Sequence, residues 1–145
     1  MEPLAFLNLA HELSRRSGSE AALRTSVSRS YYALHNYIGL FISNQGFFLP
    51  KDAKKHDWIF QDLHNCNIKD IVKIASALSD LREERNDADY DLKIASFQEP
   101  NTSVLLYLKA KAAFENFQEI ISDSKNRGLI VKEITAYREK IQRPK

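Results

Sequence analysis

Ser19–Asn44 reads SEAALRTSVSRSYYALHNYIGLFISN, and the way its apolar residues recur decides the fold. Leu23, Val27, Tyr31, Leu34, Ile38 and Phe41 return at three- and four-residue intervals, the period of a helix with one buried stripe. Ser19 ahead of Glu20 is a start signal, because a serine hydroxyl accepts from the free amides of a first helical turn. A helix over about residues 19–44 follows. Gly39 is the irregularity: inside a helix it costs about 1 kcal/mol relative to alanine, unless a neighbouring helix packs closely there.

The same period runs outward on both sides. Leu4, Leu7, Ala10 and Leu13 predict a first helix over about 3–16. Ile71, Ile74, Leu78 and Leu81 predict one over about 67–86, and Leu105, Leu108, Ala112, Phe117 and Ile121 one over about 102–124. Ile130, Ile134, Tyr137 and Ile141 give a basic last helix over about 128–142, with Gly128 read as its separator. Residues 51–64, with Trp58, Ile59 and Leu63, predict a short helix across one end. No segment alternates with period two for long enough to make a strand, and only four glycines and four prolines are present to supply tight turns. The expectation is an all-α, up-and-down four-helix bundle with short additional helices, one domain over 1–145. A bundle this small leaves a wide helix face for a second copy, so a homodimer is expected.

Composition narrows the function. Hydrophobic residues make up 43% and charged residues 28%, which suits a folded globular chain rather than a disordered one. The longest apolar run is Tyr37–Ile42, far below the roughly 20 residues of a membrane span, so no membrane partner is expected. Met1–Leu9 carries no basic flank ahead of an apolar core, and a cytoplasmic setting is the expectation. The single cysteine, Cys66, excludes an intrachain disulfide and a cysteine-based zinc cage. No glycine-rich phosphate loop, His-Glu-x-x-His or Gly-x-Ser-x-Gly is present, and no two of His11, His35, His56 and His64 lie at i, i+3 or i, i+4. Neither a metal nor another cofactor is expected. Net charge is +2, yet residues 125–145 hold seven basic and two acidic side chains. That segment reads either as a contact for nucleic acid or as a solvated last helix with a frayed end.

Two segments stand out. In Ser28-Arg29-Ser30-Tyr31-Tyr32-Ala33-Leu34-His35-Asn36, residues Ser28, Tyr32, His35 and Asn36 share one helical face, with Arg29 beside it. This is either a hydrogen-bonding face or a pair of packed tyrosines with their hydroxyls at the bundle edge. In Leu81-Arg82-Glu83-Glu84-Arg85-Asn86-Asp87-Ala88-Asp89-Tyr90-Asp91, residues Arg82, Arg85 and Asp89 share a face if the helix continues. The plainer reading is a surface mesh of ion pairs at a helix end.

With Ala21-Ala22-Leu23-Arg24 leading into the first, these segments resemble the HEPN family, in its small stand-alone branch with a Ser-Arg-x-Tyr-Tyr-Ala helix followed by an Arg-x-x-Ala-Asp-Tyr segment. The resemblance covers most of the chain. It implies a HEPN-like helical bundle that dimerises, with an Arg-x(4–6)-His motif from each subunit facing a shared cleft. In active members that motif cleaves RNA without a metal: Arg stabilises the phosphate, and His assists proton transfer as the 2′-hydroxyl attacks. Other members pair with nucleotidyltransferase antitoxins or bind without turnover. Carried over, Arg85 matches the arginine, while Tyr90 stands where the histidine belongs; a phenol near pKa 10 is a poor base at neutral pH. Aligning Tyr90 instead with a tyrosine two places after the histidine puts Ala88 and Glu83 at the motif positions, a worse fit. His35 and His56 are the candidates to replace the missing imidazole. The implied site is therefore Arg85, Tyr90 and His35 for catalysis, and Arg82, Asn86, Asp89, Ser28, Arg29 and Tyr32 for RNA or nucleotide. Two functions follow from the resemblance, a metal-independent ribonuclease toxin or a binding module that holds RNA, a nucleotide or a nucleotidyltransferase partner.

Overall fold

Helix N-termini leave free amides, and the residues that satisfy them set where each element begins. The computed structural model describes all 145 residues and contains six α-helices and no strand: α1 (Pro3–Ser14), α2 (Glu20–Asn44), α3 (Lys54–His64), α4 (Lys69–Tyr90), α5 (Pro100–Ser122) and α6 (Ser124–Lys140), with a 3₁₀ turn at Ala95–Gln98. Ser19 caps α2, its hydroxyl accepting from the Ala22 amide at 3.2 Å. Proline occupies the first turn of α1 and of α5, where its missing N–H costs nothing. The chain is an all-α helical bundle.

The last boundary differs from the expected one. Asp123, not Gly128, separates α5 from α6: its backbone is extended and its carboxylate accepts from the Lys125 amide at 2.8 Å. Arg127 completes the junction by donating to the Ile121 carbonyl at 2.7 Å. Gly128 then lies inside α6, with open space where a side chain would stand. An acidic cap outweighs an interior glycine as a start signal.

Helix α4 also runs four residues beyond the expected 86. The buried guanidinium of Arg24 explains the extension. It donates to the carbonyls of Ala88, Asp91 and Ile94 at 2.9, 3.0 and 3.1 Å, and to Glu20 at 2.8 Å, so the helix end has protein partners for its free acceptors. Val27, Ala88 and Phe97 pack into a small cluster beneath it.

Helix α2 is the centre of the molecule and touches α1, α3, α4 and α5. Its stripe of Tyr31, Leu34, Ile38, Phe41 and Ile42 meets Ile71, Ala75 and Leu78 of α4 and Ala110, Phe114 and Phe117 of α5 in one contiguous core. Removing any one of these large side chains would cost about 2–5 kcal/mol. Gly39 has its reason here: a methyl group at that position would sit 3.2 Å from Ile59 and 3.4 Å from Lys55 of α3. Side chains of α3 pack directly over this glycine. Gly46 turns the chain after α2 with φ of +91°, a conformation side chains disfavour.

The basic C-terminal segment keeps Lys125, Lys132, Lys140 and Lys145 exposed, but two of its arginines are tied into the fold. Arg138 is wholly buried and pairs with the equally buried Asp62 of α3. Its Nε and Nη2 donate to the two carboxylate oxygens at 3.1 and 2.6 Å, and Nη1 donates to the Phe48 and Pro144 carbonyls. Arg143 lies over the Trp58 ring, 4.3 Å from its centroid, and donates to Gln61 at 2.8 Å. The last residues are thus bound to α3. No helix is long and apolar enough to cross a membrane.

Candidate functional site

Helices α2 and α4 pack with their polar segments facing each other, and α3 closes the end. The centre is Arg85. Its Nη2 donates to the Tyr32 hydroxyl and its Nη1 to Asn86 Oδ1, both at 2.6 Å. Nε lies 3.2 Å from Asp89 Oδ2 but out of line for a hydrogen bond, leaving that buried N–H without an acceptor. Two of the five N–H groups of this guanidinium are therefore engaged. The guanidinium carbon sits 5.1 Å from the Tyr32 ring centroid and 5.7 Å from that of Tyr90.

Arg29 flanks the same Tyr32 ring, 5.2 Å from its centroid, and lies 5.3 Å from that of Phe6. Its Nε is also buried and without a partner. The Ser28 hydroxyl is 3.4 Å from Asp89 Oδ2 and 3.4 Å from Arg29 Nη2, long contacts that add little. Arg82, one turn before Arg85, pairs with Asp57 of α3 at 2.6 Å. Ser28, Arg29, Tyr32, Arg82, Arg85, Asn86 and Asp89 thus lie together on one edge of the bundle. Tyr90 is beside them, 75% exposed, with no side-chain hydrogen bond.

His35 is placed differently from the expected contact with substrate. It is 3% exposed, behind Tyr31. Burial, with the charges of His56, Lys55, Arg82 and Arg85, pushes its pKa down to about 3, so the ring is neutral across the physiological range. Its Nδ1 lies 3.2 Å from the Tyr31 hydroxyl, and the same hydroxyl lies 2.5 Å from Nδ1 of His56 on α3. The two imidazoles stack with centroids 4.4 Å apart. Burial raises the Tyr31 hydroxyl well above the ordinary phenol value, so it stays protonated. One tyrosine hydroxyl therefore links two imidazoles, donating to one and accepting from the other.

Tyr31 and Asp57 were not among the residues singled out for the site. Tyr31 has the spacing of a core residue, and it is one, 1% exposed with only its oxygen in the polar cluster. Asp57 carries no local signal. The arrangement offers an anion seat: two guanidiniums with unused donors, a phenol and an amide, with the Asp89 and Asp57 carboxylates limiting the charge. No group of three or more His, Cys, Asp or Glu side chains converges as a metal site. A groove of about 610 Å³ between α4 and α5 shares none of these residues; it mixes Lys73 and Lys109 with Asp70 and Glu119, so no single charge dominates there.

Fold and site together define a small all-helical protein with a cationic, aromatic-lined edge. No family model matches the chain, and neither does any curated protein or solved structure.

Proposed function

We propose that this chain is a HEPN-like, RNA-directed protein of toxin–antitoxin or defence type, which holds an RNA phosphate at Arg85 and cleaves the backbone without a metal. The observation that carries the reading is the incomplete hydrogen bonding of Arg85: a guanidinium that is 14% exposed, with two of its five N–H groups hydrogen-bonded and Nη protons left over beside a tyrosine hydroxyl. A phosphate oxygen can take those Nη protons in charge-assisted bonds, whereas Nε is sealed beside the Asp89 carboxylate. Arg29 brings a second guanidinium to the Tyr32 ring. Tyr90, beside Arg85, and Leu92 two residues on are each 75% exposed, a surface that a second copy would cover, so the proposed working form is a homodimer in the cytoplasm. A nucleotidyltransferase-type antitoxin is the partner that the sequence resemblance suggests.

A second reading is a module that binds RNA or nucleotide, or docks that partner, without turnover. It is favoured by Tyr90, a phenol in the place of the motif imidazole. Purified protein incubated with a panel of RNAs in EDTA separates the two. Cleavage leaving cyclic phosphate ends, abolished by Arg85→Ala, supports the enzyme. Binding without cleavage, weakened at least tenfold by Arg85→Ala, supports the module, and binding that the variant leaves intact removes Arg85 from the site.

A further inference from the structure

Attack by a ribose 2′-hydroxyl needs a proton acceptor close to the phosphate seat, and the four imidazoles differ sharply in their fitness for it. His11 is stacked on Tyr107, with centroids 4.6 Å apart. His64 is stacked on Phe60 at the far end of α3, about 12 Å along the helix from His56 at 1.5 Å per residue. His35 is sealed. His56 is half-buried, and its Nε2 makes no hydrogen bond within the protein while its Nδ1 meets Tyr31.

We infer that His56 is the proton acceptor of this site and that Tyr31 is its positioning residue. The inference rests on the RNA-cleaving reading above. Three neighbours fix the imidazole: the Tyr31 hydroxyl at Nδ1, the His35 ring on its face at 4.4 Å, and the edge of Tyr32 with centroids 6.1 Å apart. In the competent tautomer, His56 Nδ1–H donates to the Tyr31 oxygen and the Tyr31 hydroxyl donates to His35 Nδ1. This leaves the lone pair on His56 Nε2, facing outward. The surroundings keep it neutral. Burial, Arg82 and Arg85 on α4, and Lys55 lower its proton affinity below that of an ordinary imidazole, with Asp57 opposing them; Tyr31, Tyr32 and His35 face it from α2 as uncharged groups.

In the proposed step the 2′-hydroxyl proton passes to His56 Nε2 as the 2′-oxygen bonds to phosphorus. The bond from phosphorus to the 5′-oxygen breaks, and that oxygen takes a proton from water. The extra negative charge on the phosphoryl oxygens faces Arg85. His56 then returns its proton to solvent, and the products are a 2′,3′-cyclic phosphate and a 5′-hydroxyl.

The test is single-turnover cleavage of an RNA that the wild-type protein cuts, with binding followed by mobility shift. His56→Gln is expected to slow cleavage about 100-fold or more with binding unchanged, and Tyr31→Phe to slow it about tenfold. Free imidazole should restore cleavage to His56→Ala, a readout that loss of a structural contact would not give. In the wild type the acid limb of the rate profile should fall below pH 6.5, and Arg82→Gln should move it upward, because a cation that opposes protonation is gone. Cleavage by His56→Gln within threefold of wild type, with Arg85→Ala inactive, overturns the role of His56 and leaves the RNA reading standing. An imidazole-insensitive His56→Ala overturns it likewise, and wild-type protein that cuts no RNA overturns both.

Discussion

Two arginine centres flank α3, and they are built in opposite ways. At one, Arg138 has four of its five N–H groups bonded to Asp62, Phe48 and Pro144, with no exposure and with Phe47 and Trp58 rings about it. At the other, Arg85 has two N–H groups bonded and one sealed without an acceptor. A cation with four of its five donors spoken for inside the fold is an anchor. A cation held by packing yet left short of acceptors keeps binding capacity for something else. The charge is the same; the hydrogen-bond inventory separates the roles.

The largest effect should come from breaking the anchor. Asp62→Ala strands a buried guanidinium, so urea unfolding should show a loss of about 3–5 kcal/mol. A loss below 1 kcal/mol would mean that the pair is not sealed and that the contrast between the two centres is false. Replacing both partners with apolar residues should recover much of the loss, because no charge is then left unpaired.

Acid should act next, through the histidine layer behind the open centre. His35 has a native pKa of about 3 against 6.5 ordinarily. Between these values the unfolded chain binds a proton that the native chain declines. The contribution is therefore complete above pH 6.5 and is lost as pH falls, by about 1.4 kcal/mol per unit. Unfolding free energies at pH 7, 5 and 4 should decline more steeply in the wild type than in His35→Gln. Parallel declines would show that His35 is not held neutral by burial.

The smallest effect on stability belongs to Arg85→Ala. It loses two hydrogen bonds and no buried partner is left charged and alone, so the fold should weaken by about 1–2 kcal/mol while RNA affinity falls. A loss matching that of Asp62→Ala would place Arg85 among the anchors.

The helices were legible because their information is local. Ser19 and the stripe from Leu23 to Phe41 specify α2, and the spacing of Arg82, Arg85 and Asp89 already aligned them on one face of α4. Gly128 is a weaker boundary signal than the acidic cap at Asp123. What local pattern did not contain was the meeting of distant elements. Arg138 looked like one of seven basic residues near the end of the chain, and only the buried Asp62, 76 positions away, shows it to be internal. Tyr31 read as core, which hid a hydroxyl shared by two imidazoles, and Asp57 had no signal before α3 was placed against α4.

Gly39 ties these levels together. By presenting no side chain to Ile59 and Lys55, it lets α3 ride low on α2, and the next residue after Lys55 is His56, whose nitrogen reaches the Tyr31 oxygen at 2.5 Å. An alanine there would improve the helix locally yet act as a shim beneath α3. The buried Ile59 side chain would have to give by a few tenths of an ångström, and any part of that shift passed to the backbone of α3 reaches His56. A small vacancy in one helix thus sets the working height of a ring on another.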